Sequence, residues 1–113
     1  MVPALAVVAD VWVSPGEHQY VKQGDKLKYT AGWWSDVEVV KIQWTMDGEV
    51  VWEKNVNGKK TSGISYYTLY ARDFPVKPNN DGSYEIGCIL YGMNGPVEEG
   101  YDYAVVYIQP RTP

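Results

Sequence analysis

The chain has 113 residues, is 45% hydrophobic and 21% charged, and carries a net charge of −4, which together predict a single globular domain over residues 1–113. The acidic balance and the absence of a basic cluster argue against nucleic acid or an anionic membrane as a partner, and no apolar run is long enough to cross a bilayer. The single cysteine, Cys88, excludes an internal disulfide, and the apolar N-terminus lacks the basic residues of a signal peptide.

Residues 2–13 form the first predicted strand, which is longer than the usual five to six residues or so and apolar on both faces over most of its length. Two interpretations stay open. It is either an ordinary first strand with a partly covered outer face or a strand that adds to the sheet edge of another subunit. Under the second interpretation residues 1–13 engage a neighbouring subunit. The interface candidates are then Leu5, Val7, Val8, Val11 and Trp12.

The next stretch is divided by turn residues into short elements. We predict a turn at 14–16, a short edge strand at 19–21, a strand at 26–33 and a loop at 33–36. The predicted loop carries two adjacent indoles, Trp33 and Trp34, and we expect one or both of them to be exposed, because the aromatic residues exceed what a small sandwich core needs.

The centre of the chain is a predicted β-hairpin around Asp47 and Gly48, because Asp-Gly between two alternating apolar runs is a strong type I′ turn signal. Strand alternation then predicts a buried Trp44 and a more exposed Trp52. The expected partners across the hairpin are Met46 with Glu49, Thr45 with Val50, Trp44 with Val51, and Gln43 with Trp52.

The remaining elements also lack helical periodicity. We predict a polar turn at 55–60, a strand at 62–71, an irregular crossing at 73–82, a strand at 83–91, a loop at 92–100, a last strand at 101–109 and a tail at 110–113. In the strand at 83–91 the inward side chains are Tyr84, Ile86, Cys88 and Leu90. Seven to nine short strands at this spacing predict an all-β fold, a single antiparallel β-sandwich.

The apolar pattern from Val40 to Trp44, followed by Asp-Gly, resembles the C strand and C–C′ turn of immunoglobulin-like domains. The run Asp-Gly-Ser-Tyr that ends at Tyr84 resembles the approach to their F strand, which begins with a corner tyrosine. Over residues 14–109 the spacing is also similar to CARDB and fibronectin-III-like modules. The antibody disulfide is absent, since Ile86 stands at one of its positions. The resemblance implies an immunoglobulin-like sandwich, a shape used mostly by adhesive, structural or accessory modules.

Little in the sequence points to catalysis, so we predict that the chain is not an enzyme and needs no cofactor. A hydrolytic triad needs a nucleophile, a base and an orienting group, but the lone His18 lies in a polar stretch and Cys88 alternates with core residues. Calcium binding would need several loop oxygens, and the EF-hand spacing is absent, which favours solvated loops. The weak calcium candidates are Asp81, Glu98, Glu99 and Asp102.

The unusual feature is aromatic content, with five Trp and ten Tyr beside one Phe. The exposed aromatic binding candidates are Trp33, Trp34, Trp52, Tyr103 and Tyr107. Aromatic side chains with polar neighbours are typical of protein interfaces, which favours a structural subunit that docks to copies of itself or to a larger lattice. That subunit would be a virion decoration or tail component, or part of a surface filament, at a virion or extracellular surface. The alternative is a carbohydrate-binding module that uses the tryptophans.

Overall fold

The computed structural model describes residues 9–77 and 82–110, apart from the side chains at positions 58 and 59. Within these residues the chain is built of six β-strands and a three-residue 3-10 turn, which confirms the all-β prediction. The strands are β1 (Ala9–Ser14), β2 (Gln19–Lys22), β3 (Lys26–Met46), β4 (Glu49–Tyr70), β5 (Ser83–Gly92) and β6 (Gly95–Gln109), with the turn at Ala71–Asp73. Over the same ranges, no helix has the length and apolar character needed to span a membrane.

Two long strands, β3 and β4, each contribute to both layers of an immunoglobulin-like β-sandwich. Residues 30–35 of β3 pair with β1 on one side, and residues 26–34 of β3 pair with residues 62–70 of β4 on the other, which makes the first layer. Residues 41–46 of β3 pair with residues 49–55 of β4 and with β5, which continues through β6 to β2 as the second layer. Every pairing is antiparallel except that of β2 with β6, which is parallel.

Three predicted irregular segments are strand instead. The predicted loop at 33–36 and turn at 55–60 are wrong, because both segments lie within the strands β3 and β4. The register of β3 with β4 shifts between Trp34 and Val39 and again between Val39 and Lys41. Cross-strand pairing on both sides of these shifts overrides the local turn preference of residues such as Asn and Gly. The predicted loop at 92–100 is also wrong, since β5 ends at Gly92 and β6 starts at Gly95.

The central hairpin forms at Asp47 and Gly48, whose φ values of 51° and 88° are the two positive angles that a type I′ turn requires. The first two expected pairs, Met46 with Glu49 and Thr45 with Val50, are confirmed. A bulge then shifts the register by one residue, so that Trp44 faces Trp52, and the two expected pairs beyond it are wrong. Trp44 is nonetheless buried and Trp52 is partly exposed, as predicted.

The core lies between the layers around Trp44, which is completely buried. Its indole Nε1 donates a hydrogen bond to Ser65 Oγ at 2.9 Å, and its ring stacks on Tyr67 with 5.8 Å between centroids. The predicted inward side chains of β5 are all buried, namely Tyr84, Ile86, Cys88 and Leu90. Burial, followed by the nearby charge of Asp102, raises the pKa of the Cys88 thiol to about 12, so that this thiol stays protonated.

Tyr84 is the corner tyrosine that the resemblance implied. Its hydroxyl donates a hydrogen bond to the Pro75 carbonyl oxygen at 2.5 Å, which ties the start of β5 to the crossing that precedes it. Phe74 contacts the Tyr84 ring edge-on at 5.7 Å, and the Lys77 ammonium lies 4.1 Å from the ring centroid. One side chain therefore holds the crossing segment against the second layer.

Asp47 joins the hairpin turn to this same crossing. Its Oδ1 accepts a hydrogen bond from the Glu85 amide at 2.8 Å, and Lys77 Nζ contacts Oδ2 at 2.5 Å. Partial burial tends to raise the pKa of Asp47, but the bond from the Glu85 amide and the charge of Lys77 outweigh it and hold that pKa below its ordinary 3.8.

We expect Asp47→Asn to reduce the pH dependence of unfolding. A carboxylate with a lowered folded-state pKa contributes stability above pH 3.8, the ordinary pKa, and loses that contribution as pH falls through the folded value. Both partners are partly exposed, so the loss at neutral pH should stay within about 1 kcal/mol. Urea unfolding of the unmodified chain and of Asp47→Asn between pH 2.5 and pH 7 measures the pH dependence of the unfolding free energy. The same pH dependence in both would contradict the lowered pKa of Asp47.

Candidate protein-interaction surface

The outer surface of the first layer carries four large apolar side chains on neighbouring strands, and we name this set the aromatic face: Trp12, Trp34, Ile64 and Tyr66. Alternation produces it, because Ala9, Val11 and Val13 of β1 face the core while Trp12 faces out. The register then places Trp12 opposite Gly32, and Gly32 opposite Ile64. Side chains from three strands thus form one surface.

Trp12 lies flat across the backbone of β3, and Gly32 makes this possible. A Cβ at Gly32 would stand 2.3 Å from Trp12 Nε1, closer than any contact the ring would tolerate in that position. The indole nevertheless remains 51% exposed, and Ile64 on the far side of Gly32 is 62% exposed. Single exposed apolar residues are ordinary, whereas adjacent ones on one surface mark a site of interaction.

Charges lie at both ends of the aromatic face. Asp10 is exposed and sits opposite Trp34 in the register, at one end. Lys28 is at the other end, where its Nζ lies 4.6 Å from the centroid of the Tyr66 ring. The surface is therefore apolar in the middle, acidic at one end and basic at the other.

The outer surface of the second layer is lined with tyrosines that largely contact one another. Tyr103 stacks on Tyr101 with 6.0 Å between centroids, and the half-buried Tyr107 stacks on Tyr20 at 4.8 Å. The Tyr101 hydroxyl donates to Glu85 Oε2 at 2.7 Å, and burial together with this carboxylate raises the pKa of Tyr101. Of the two predicted tyrosines, Tyr103 is thus exposed and Tyr107 is only partly so.

The three predicted tryptophan candidates do not share a surface. Trp33 is 3% exposed and belongs to the core, so its prediction as an exposed residue is wrong. Trp34 is its neighbour in a continuous strand and therefore points to the opposite side of the layer. Trp52 lies in the second layer, opposite Trp44. Ile64 and Tyr66, by contrast, were missed, although their alternate positions in the predicted strand at 62–71 already placed them on one face.

The candidates of the N-terminal strand fall into three groups. Trp12 is exposed in the aromatic face. Val11 is buried against the core and pairs with Trp33, so it is not available to a partner. Leu5, Val7 and Val8 lie outside the described residues.

Asp102, one of the weak calcium candidates, makes a hydrogen bond between the two layers. Its Oδ2 accepts a hydrogen bond from the Val13 amide at 2.7 Å, which links β6 of the second layer to β1 of the first. The signal was present in the sequence, because Asp102 continues the inward series of Ala104 and Val106. Glu98 and Glu99 are exposed, Asp81 lies outside the described residues, and the described residues contain no cluster of three metal-ligand side chains.

The two side chains considered for catalysis, His18 and Cys88, have different surroundings. His18 contacts the ring of Tyr107, with 5.7 Å between the centroids. Cys88 is buried in the core, where its raised pKa keeps it a neutral thiol.

No family model and no curated protein matches the chain, whereas many solved structures do. A fibronectin(III)-like module of CbhA from Clostridium thermocellum is 16% identical over 90% of this chain and 99% of its own, with a TM-score of 0.58. The CARDB domain of PF1109 from Pyrococcus furiosus is 17% identical over 89% of both chains, with a TM-score of 0.57. The BIgI domain of the beta protein from S. agalactiae was solved bound to CEACAM1. It is 15% identical over 92% of this chain and 99% of its own, with a TM-score of 0.52. These likenesses establish the fold alone.

Proposed function

We propose that the chain is a non-catalytic interaction module that associates with copies of itself through the aromatic face. The observation that carries this proposal is the adjacency of Trp12, Trp34, Ile64 and Tyr66 on one exposed sheet surface. Removing such side chains from water stabilises an association by about 25 cal/mol for each Å² of apolar area buried. Buried aromatic residues near the centre of an interface commonly dominate its affinity.

The arrangement of charge favours a second copy as the occupant of this face. A twofold-symmetric contact brings the same surface of both copies together, with the order of the residues reversed. Such a reversal moves Lys28 of one copy toward Asp10 and Trp34 of the other, and the apolar centres then meet. The setting we propose is a larger protein lattice, either a virion surface or an extracellular filament, in which a neighbour covers the face of each copy.

The double variant Trp12→Ser/Trp34→Ser tests this proposal. We expect it to raise the dissociation constant of self-association by roughly 30-fold for each tryptophan, since an interface anchor is worth about 2 kcal/mol or more. Sedimentation equilibrium measures the change. Val50→Ser is the matched control, because Val50 is 50% exposed and lies at the hairpin of the second layer. Equal association of the double variant and the unmodified chain would contradict the proposal.

A further inference from the structure

A groove of about 500 Å³ opens where β4 passes from the second layer to the first. Among the described residues, β4 pairs only with β3, so its other side is free and the groove is open there. Trp33 and Ile42 line it from β3. Trp52 and Lys54 line it from the early part of β4, and Gly63 from the later part.

The groove has an aromatic wall and an unsatisfied donor. Trp52 is 37% exposed, which leaves part of its ring free for a ligand to stack on. Trp33 is buried, and its Nε1 has no hydrogen-bond acceptor. This edge of the indole faces Gly63, where a Cβ would stand only 3.3 Å from Nε1. Because buried donors are almost always paired, an oxygen acceptor supplied by a ligand would complete the site.

The charge of the groove differs from that of the whole chain. Lys54 and Lys60 line it, and no Asp or Glu is among its described lining residues, although the chain has a net charge of −4. Asn55, Asn57 and Ser62 add amide and hydroxyl groups that both donate and accept hydrogen bonds. An anionic ligand with several oxygen atoms and an apolar face matches this lining.

We propose that the groove binds an acidic saccharide. A sugar ring stacks on Trp52, its carboxylate pairs with Lys54 and Lys60, and a hydroxyl or ring oxygen accepts the hydrogen bond from Trp33 Nε1. An added peptide strand fits less well, because lysines along a sheet edge disfavour strand pairing and two of them lie here. The groove borders the aromatic face at Ile64 and Tyr66, but the residues that recognise the sugar are not part of that face. The two proposals therefore fail independently.

Isothermal titration with the trimer of galacturonic acid tests the inference, with the methyl-esterified trimer as the uncharged probe. We expect the acid to bind and the ester to bind at least tenfold more weakly. Trp52→Ala should weaken binding of the acid at least tenfold, and Lys54→Gln should weaken it and reduce its salt dependence. Gly63→Ala should also weaken it by crowding the Trp33 N–H.

Tyr20→Ala is the matched control, because it removes an exposed aromatic ring outside the groove and outside the aromatic face, and it should leave the affinity unchanged. Circular dichroism of each variant confirms that it is folded before titration. Absence of binding by the trimer, equal binding of the ester, or unchanged binding by folded Trp52→Ala would overturn the inference. Tighter binding of triglutamate than of the sugar acid would overturn it in favour of an acidic peptide.

Discussion

Replacing Trp44 by alanine should lower the free energy of unfolding by about 3–5 kcal/mol, the range typical of large aromatic truncations in a core. The indole is completely buried, so the substitution leaves a cavity that β3 and β5 can fill only in part. It also removes the ring that stacks on Tyr67 and the donor that bonds to Ser65 Oγ. The loss of the donor leaves a buried hydroxyl with one partner fewer, which adds to the cost.

Urea denaturation followed by circular dichroism measures this loss. Trp44→Phe keeps most of the apolar volume and should fall between the unmodified chain and Trp44→Ala. Met93→Ala is the control, because its side chain is 77% exposed and the substitution should cost about 1 kcal/mol or less. A loss below about 1 kcal/mol for Trp44→Ala would contradict the position of Trp44 at the centre of the core.

Tyr84→Ala should destabilise the fold by a similar amount, about 3–5 kcal/mol. The ring is buried at the start of β5, where it contacts Phe74 and Lys77, and its hydroxyl bonds to the Pro75 carbonyl. Truncation therefore removes apolar contact and releases the crossing segment from the second layer. Tyr84→Phe keeps the ring and isolates the hydrogen bond, and should cost about 1–3 kcal/mol because the carbonyl oxygen loses its partner.

The same urea denaturation experiment measures the unfolding free energies of Tyr84→Ala and Tyr84→Phe. Tyr103→Phe is the control, since its ring is half exposed and the structure gives its hydroxyl no hydrogen-bond partner among the described residues. It should leave the unfolding free energy unchanged within about 0.5 kcal/mol. If Tyr84→Phe is as stable as the unmodified chain, the corner hydrogen bond does not contribute, and the immunoglobulin-like corner is present only in shape.

Local patterns predicted those elements in which period-two alternation and turn chemistry agree. Asp47 and Gly48 specified the turn because few residue pairs accept two positive φ values. The inward series from Tyr84 to Leu90 followed from alternation alone, because in a strand with one buried face the apolar residues must be the ones that face the core. The short edge strand at 19–21 was bounded by turn residues on both sides and appears as β2.

The errors arose where pairing between distant residues decides the structure. The segments at 33–36 and 55–60 have turn-like residues, yet residues 33–35 pair with β1, and Asn55 and Lys60 pair with β3. Trp33 and Trp34 were consequently assigned to a loop, although a continuous strand buries one and exposes the other. The bulge beside Trp44 shifted the hairpin register, and the local sequence did not predict this bulge.

The aromatic face could be predicted only in part. Trp12 was predicted as an interface residue and Trp34 as an exposed aromatic residue, and both lie in it. Their adjacency to Ile64 depends on the register of β1 with β3 and of β3 with β4, which pairs residues about 20 and 32 positions apart. The close approach of Trp12 to the backbone at Gly32 likewise needs the structure, because a glycine within an alternating strand has several explanations.

The most direct measurement is the solution mass of the unmodified chain, determined by light scattering over a concentration series. Self-association through the aromatic face predicts a mass that rises from 12.8 kDa at low concentration to at least twice that value at high concentration. The rise should persist at high salt, because apolar burial supplies most of the attraction. A mass that stays at 12.8 kDa across the whole series would contradict the proposal that the occupant of the face is a second copy of the chain.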